Sequence, residues 1–192
     1  EPCIKAIEAL NEAYDITYLE RKTPLILEQD AISGKKYNRH NLKGKLQKGD
    51  AVIAFTRKDV LTLSARFRQW GFGVASIYGA LSPEVRRTES RRFCEGEADI
   101  LVATDAIGMG LNLPIRRVVF SSVEKFDGLA GRKINATEVR QIAGRAGRFG
   151  IYPTGYVNAF EDDELIHLEH MLTTSDVADL KKLPVAPSFP HL

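Results

Sequence analysis

Ile100-Leu101-Val102-Ala103-Thr104-Asp105-Ala106-Ile107-Gly108-Met109-Gly110-Leu111-Asn112-Leu113-Pro114 joins four apolar residues to a hydroxyl, a carboxylate and two glycines. The apolar run reads as a strand, and Thr104 and Asp105 then sit at its carboxyl end. Open α/β sheets bind ligands beyond the carboxyl ends of their strands. Gly108 and Gly110 let main chain approach a phosphate or a sugar closely. The same residues also read as a plain glycine-rich turn with Asp105 as a cap.

The rhythm on either side decides between fold classes. Upstream, Ala51–Phe55 reads as a buried strand. Asp59–Trp70 reads as a helix with Val60, Leu63, Phe67 and Trp70 on one face, stopped by Gly71. Val74–Tyr78 is the next strand, and Pro83–Cys94 a helix ended by Gly96. Downstream, Val118–Ser121 and Tyr156–Phe160 are strands and Asp162–Met171 a helix. Thr137 is expected to cap a further helix that continues through the arginines at 145 and 148. Strands alternating with helices imply an α/β fold with a mostly parallel sheet and right-handed crossovers.

Four stretches fall outside this rhythm. Between Ser122 and Asn135 the turn signal Asp127-Gly128 suggests a β-hairpin-like insertion. Residues 30–50 read as a long connection or irregular β segment. Near the amino end Ile4, Ile7, Leu10 and Tyr14 have helical spacing, Ile16–Leu19 alternates like a strand, and Leu25-Ile26-Leu27 is a second apolar run. Pro184–Pro190 is too rich in proline to be helical.

With 192 residues the chain is long enough for one such domain. A net charge of +2 does not announce a nucleic-acid binder, so that function would rest on local patches. Arg86-Arg87 with Arg91-Arg92, Arg116-Arg117, and Arg140, Arg145 and Arg148 are such patches. Cys3 and Cys94 lack zinc-site spacing. No apolar run nears the roughly 18 residues of a membrane span, and no signal-peptide pattern opens the chain. The first residues already look helical and there is no initiator Met, so the chain is expected to be an excised piece of a longer protein.

Gln141-Ile142-Ala143-Gly144-Arg145-Ala146-Gly147-Arg148-Phe149-Gly150 carries the sharpest chemistry. Guanidinium groups bind phosphate oxygens bidentately, and on a helix Arg145 and Arg148 would share one face. A solvated basic helix, or a tight contact through the small residues, is the competing reading. Phe55-Thr56-Arg57 lies at another strand end, where a hydroxyl and a nascent helix could hold a backbone phosphate. Thr56 or Asp59 could equally be a plain cap. In Tyr78-Gly79-Ala80-Leu81-Ser82-Pro83-Glu84-Val85-Arg86-Arg87, Ser82 and Pro83 start a helix and Gly79 lies past a strand end.

In order and spacing these four segments resemble motifs IV, IVa, V and VI of the second RecA-like domain of superfamily 2 helicases. Ala103–Pro114 and Gln141–Gly150, with the insertion near 122–135, are most similar to the suppressor-of-var type of ATP-dependent RNA helicase. That type is known from the mitochondrial RNA degradosome and from bacteria. The resemblance implies a RecA-like three-layer domain over residues 18–172, a linker helix at 1–17 and a Pro-rich extension at 173–192. It implies that Arg145 and Arg148 contact the ATP γ-phosphate, with Arg148 as arginine finger, and that Gln141 lies near the attacking water or the phosphate. Gly110 and Asn112 would approach the nucleotide. Thr104, Asp105, Thr56, Arg57 and Gly79 would face the nucleic acid. DEAD-box relatives carry His-Arg where this chain has Gln141-Ile142 and Asp where Asn112 stands, so contacts made by that arginine do not transfer.

No G-x-x-x-x-G-K-[ST] loop occurs in the chain. ATP with its Mg²⁺ is therefore expected on a first RecA-like domain elsewhere in the protein, and this chain alone is expected to have no ATPase. Glu161–Glu164 reads as acids opening a helix rather than a metal-binding strand end. His167 and His170 have no third ligand at metal spacing. Implied partners are RNA, with DNA as the alternative, the first RecA-like domain, and an exoribonuclease. A catalytically silent docking domain is the competing class. The expected location is the bacterial cytoplasm, with the mitochondrial matrix as alternative.

Overall fold

Four short strands, fully buried along their length, form the centre: β2 (Asp50–Ile53), β3 (Val74–Ile77), β4 (Ile100–Ala103) and β5 (Arg117–Phe120). With β1 (Leu25–Leu27) and β8 (Gly155–Ala159) they make a six-stranded, all-parallel sheet in the order β1-β8-β5-β2-β4-β3. The computed structural model describes residues 15, 17, 21–33, 39–108, 112–126 and 128–174. Arg21–Thr173 is one compact unit. The expected helix at Ile4–Tyr14, most of the Ile16–Leu19 segment and the proline-rich tail lie outside the described residues.

Successive strand residues point to opposite faces, which divides the core in two. Ala51, Ile53, Leu101, Ala103, Val118 and Phe120 face one side with Ile107, Val139, Ile142 and Leu168. Val52, Val74, Ile100, Val102 and Val119 face the other with Leu42, Val60, Leu63 and Phe67. The first side is covered by α3 (Pro83–Cys94), α4 (Ala136–Ala143) and α5 (Asp162–Thr173), the second by α1 (Arg39–Lys45) and α2 (Arg57–Gln69). This is the three-layer α/β arrangement that strand–helix alternation implies. Phe67 and Trp70 pack on each other at 5.5 Å between ring centroids, as core rather than as a stacking platform.

Two expectations need correction. Residues 30–50 are not an irregular connection throughout, because α1 lies within them and buries Leu42 below its polar surface. Thr137 is not the cap of α4. Asn135 has the extended backbone of an N-cap, and its side chain accepts the Glu138 N–H while the Glu138 carboxylate accepts the Asn135 N–H, a reciprocal capping box.

The expected insertion is an antiparallel hairpin of β6 (Glu124–Phe126) and β7 (Gly131–Lys133). It stands outside the main sheet and leaves Phe126 and Leu129 exposed.

Candidate functional site

The parallel register brings three strand ends together. Ile53, Ala103 and Ile77 are hydrogen-bonded neighbours at the carboxyl ends of β2, β4 and β3. Thr56, Thr104 and Gly79 follow within three residues of these ends, so segments far apart in sequence open on one edge. Thr56 caps α2: its Oγ1 accepts the Asp59 N–H at 3.0 Å and donates to Asp59 Oδ2 at 2.5 Å. The Arg57 guanidinium lies over the Tyr78 ring, 5.4 Å from its centroid. At Gly79 no atom lies within 4 Å of where a Cβ would stand, so its main chain is open to approach. Thr104 is buried and closes the turn after β4, its Oγ1 accepting the Ala106 N–H.

After β4 the chain makes a 3₁₀ turn, Asp105–Gly108. Residues 109–111, including Gly110, lie outside the described residues. The arginines reach this segment from both sides of that gap. Arg145 Nη2 donates to the Gly108 carbonyl, and Arg148 Nη1 donates to the Asn112 carbonyl at 3.1 Å. The Gln141 side chain rests against Gly108, 3.2 Å from its Cβ position. Gln141, Arg145, Arg148, Gly108 and Asn112 thus share one neighbourhood.

The arginines do not share a helix face as expected. The helix α4 stops at Ala143, and Gly144 is its cap. Ala146 then pairs with Ile115, Gly147 donates to the Ile115 carbonyl at 2.8 Å, and Arg148 pairs with Tyr152. Gly147 has φ +77°, and a Cβ there would lie 2.8 Å from the Gly155 main-chain nitrogen. Only glycine meets both demands, so the glycine between the arginines serves a sharp turn against β8 rather than a smooth helix.

Arg21, absent from the sequence reading, holds this turn: its guanidinium donates to the carbonyls of Thr23, Gly144 and Ala146. Partial burial lowers its pKa from the ordinary arginine value. Nothing in the local sequence marks Arg21, which stands 123 residues from Gly144.

A second group that spacing did not reveal lies between the hairpin and α4. Lys125 Nζ is 2.5 Å from Asp105 Oδ2 and 3.3 Å from Glu138 Oε1. Arg132 binds both Glu138 oxygens, at 2.8 and 2.9 Å. These hydrogen bonds, Arg132 first, hold the Glu138 carboxyl at about 2 despite partial burial. Phe55, Asp105, Lys125, Glu138, Gln141 and Ile142 line a cavity of about 240 Å³ there. A larger cavity, about 480 Å³, opens beside Thr56 between α2 and the ends of β5 and β8.

Not every basic patch belongs to this edge. Arg117 is buried at the opposite strand ends, bound to Asp50 and Glu28. Among the described residues no group of three or more His, Cys, Asp or Glu could hold a metal ion. His167 Nε2 instead lies 2.9 Å from the Ile134 carbonyl oxygen.

Residues 35–150 match the family model described as the helicase conserved C-terminal domain. The chain is 38% identical to the mitochondrial ATP-dependent RNA helicase SUV3 of Candida albicans over 187 residues, 88% of this chain and 26% of that protein. It is 35% identical to the protein of the same name from Oryza sativa subsp. japonica, over 96% of this chain and 31% of that one. It therefore spans between a quarter and a third of these relatives. Both names place those relatives in mitochondria, and neither supports the expected bacterial cytoplasm. A solved structure, the C-terminal domain of the DEAD-box protein Dbp5, superposes with a TM-score of 0.56 at 16% identity, covering 77% of this chain and 82% of that one. With more than half of its length on the family model, and with the three-layer parallel sheet that the Dbp5 domain shares, the chain belongs to the helicase conserved C-terminal domain family.

Proposed function

We propose that this chain is the second RecA-like domain of an ATP-dependent RNA helicase that works in mitochondria. The observation that carries the reading is the convergence of Arg145 and Arg148 on the carbonyls of Gly108 and Asn112. Two guanidiniums then stand over the turn that follows the strand end bearing Thr104 and Asp105. Such a donor set fits a polyphosphate, and Arg148, half-buried, donates to a neutral carbonyl rather than to a carboxylate. ATP bound with Mg²⁺ on a first RecA-like domain would supply the phosphoryl group. Arg148 would neutralise the charge that develops on it, Arg145 would fix the turn, and Gln141 would orient the attacking water or the phosphate.

At the neighbouring edge, Thr56, Arg57, Gly79, Thr104 and Asp105 would grip a nucleic-acid backbone. Backbone contacts carry little sequence information, so binding should be tolerant of sequence and sensitive to salt. In this reading residues 1–17 link to the first domain, 18–172 form the helicase domain, and 173–192 lead onward. The suppressor-of-var resemblance adds an exoribonuclease as partner.

The test uses the full-length protein. Arg148→Ala should lower ATPase by about 10³-fold or more, and the isolated 192-residue chain should show none. Unchanged turnover in Arg148→Ala would favour the docking-domain reading. Unwinding of DNA duplexes in preference to RNA would move the substrate to the DNA alternative.

A further inference from the structure

We propose that Lys125, on the hairpin, is a positioning residue that couples the nucleic-acid edge to the arginine turn. Lys125 and Arg132 stand directly opposite each other in the β6–β7 pairing. Like charges so placed destabilise a hairpin unless anions offset them. Here both cations reach the same carboxylate, Glu138, and Lys125 also holds Asp105. Hydrogen bonding to Asp105 is the largest influence on the Lys125 ammonium and raises its pKa, so it stays charged.

The consequence is a two-point tether. Asp105 opens the 3₁₀ turn and is joined through Lys125 to Glu138, in the first turn of α4. Gly108 closes the same turn and is joined to Arg145, just past the other end of α4. The turn therefore moves with α4 as one body. A displacement of Asp105 by a nucleic-acid strand reaches Arg145 and Arg148 without passing through the segment between Gly108 and Asn112. The hairpin bridges Asp105 to α4 through the two ion pairs of Lys125.

This rests on the helicase reading above, and the experiment separates the two. In the full-length protein, the dissociation constant for a single-stranded RNA is measured with and without a non-hydrolysable ATP analogue. The ratio is the coupling between the sites, and by linkage it is reciprocal. Lys125→Met should cut that ratio about tenfold while leaving nucleotide-free RNA binding within about twofold, a level expected for surface substitutions. Lys125→Arg, which keeps the charge, should restore most of the ratio. An unchanged ratio in Lys125→Met overturns the tether and leaves the helicase reading intact. Equal weakening of RNA binding with and without nucleotide overturns it too, making Lys125 a direct phosphate contact. No coupling in the unmodified protein would defeat the helicase reading itself. A thermal melt on each variant, with Lys125→Gln as a second neutral replacement, guards against misfolding.

Discussion

Arg117 and Arg148 do opposite things with the same side chain. Arg117 is buried at the amino end of β5, where Asp50 takes two of its nitrogens and Glu28 a third. The adjacent Arg116 also binds Asp50 at 2.9 Å. Burial disfavours the Arg117 cation, yet these carboxylates outweigh it and raise its pKa. Its charge is spent inside the molecule. Arg148 donates to a neutral carbonyl, and its charge is available to an incoming anion. What separates a structural arginine from one able to serve a ligand is the sign of its partner, not the local sequence. Both read equally well as basic patches.

Breaking the buried pair should have the largest effect on stability. Asp50 has no exposed side-chain surface, so Asp50→Ala removes the carboxylate that holds two guanidiniums, one of them buried and left with the Glu28 carboxylate. Breaking a buried pair from one side costs about 3–5 kcal/mol, which in a domain of this size lowers the melting temperature by roughly 10 °C. Arg148→Ala should change stability by no more than about 0.5 kcal/mol, as surface changes do, while lowering turnover by about 10³-fold or more. A melting temperature that falls in Arg148→Ala as much as in Asp50→Ala would erase the distinction.

Next in size is Gly147→Ala, which tests how the arginine turn is held. The left-handed backbone alone costs an alanine roughly 1–2 kcal/mol. The new Cβ also meets the Gly155 nitrogen at 2.8 Å and its Cα at 2.9 Å, both main-chain atoms of β8 that cannot swing away. A loss of about 3 kcal/mol is expected, measured by denaturant unfolding, with ATPase of the full-length protein reduced because Arg148 is displaced. A neutral Gly147→Ala would mean that a helix-like path between the arginines is accessible after all.

The sheet was legible because its strands are short apolar runs buried on both faces, bounded by glycine, proline and capping residues. Pro83–Cys94 and Ile100–Ala103 were read to the residue for that reason. α1 was not, since only Leu42 and Leu46 mark its buried face amid lysine, asparagine and glycine. The members of the site were legible as motifs, but their geometry was not. Spacing places Arg145 and Arg148 on a helix, whereas tertiary packing against Ile115 and Gly155 ends the helix at Ala143. Arg21, Lys125 and Arg132 act across 123, 20 and 6 residues of sequence, and such pairings leave no periodic trace.

The smallest effect concerns two glutamates with opposite pH signatures, and it extends the comparison to carboxylates. Glu138 is held at about 2 by Arg132 and its neighbours, below its ordinary 4.5. Its contribution is present above pH 4.5 and is lost as pH falls from there toward 2. Glu164 is pushed up to about 7, first by burial and then by the nearby charges of Glu161 and Glu124, against a main-chain bond from Glu161. The folded chain then holds a proton between pH 4.5 and 7 that the unfolded chain has released, so stability falls as pH rises through that window. Glu164→Gln keeps an acceptor for the Glu161 N–H and removes the charge. It should leave stability at pH 4 unchanged and raise it at pH 8 by about 1 kcal/mol, discounted for partial exposure. Urea midpoints at the two pH values measure the difference. An equal gain at both pH values would mean that folding does not shift the titration of Glu164, and that the carboxylate cluster at the start of α5 is no less solvated than an ordinary surface group.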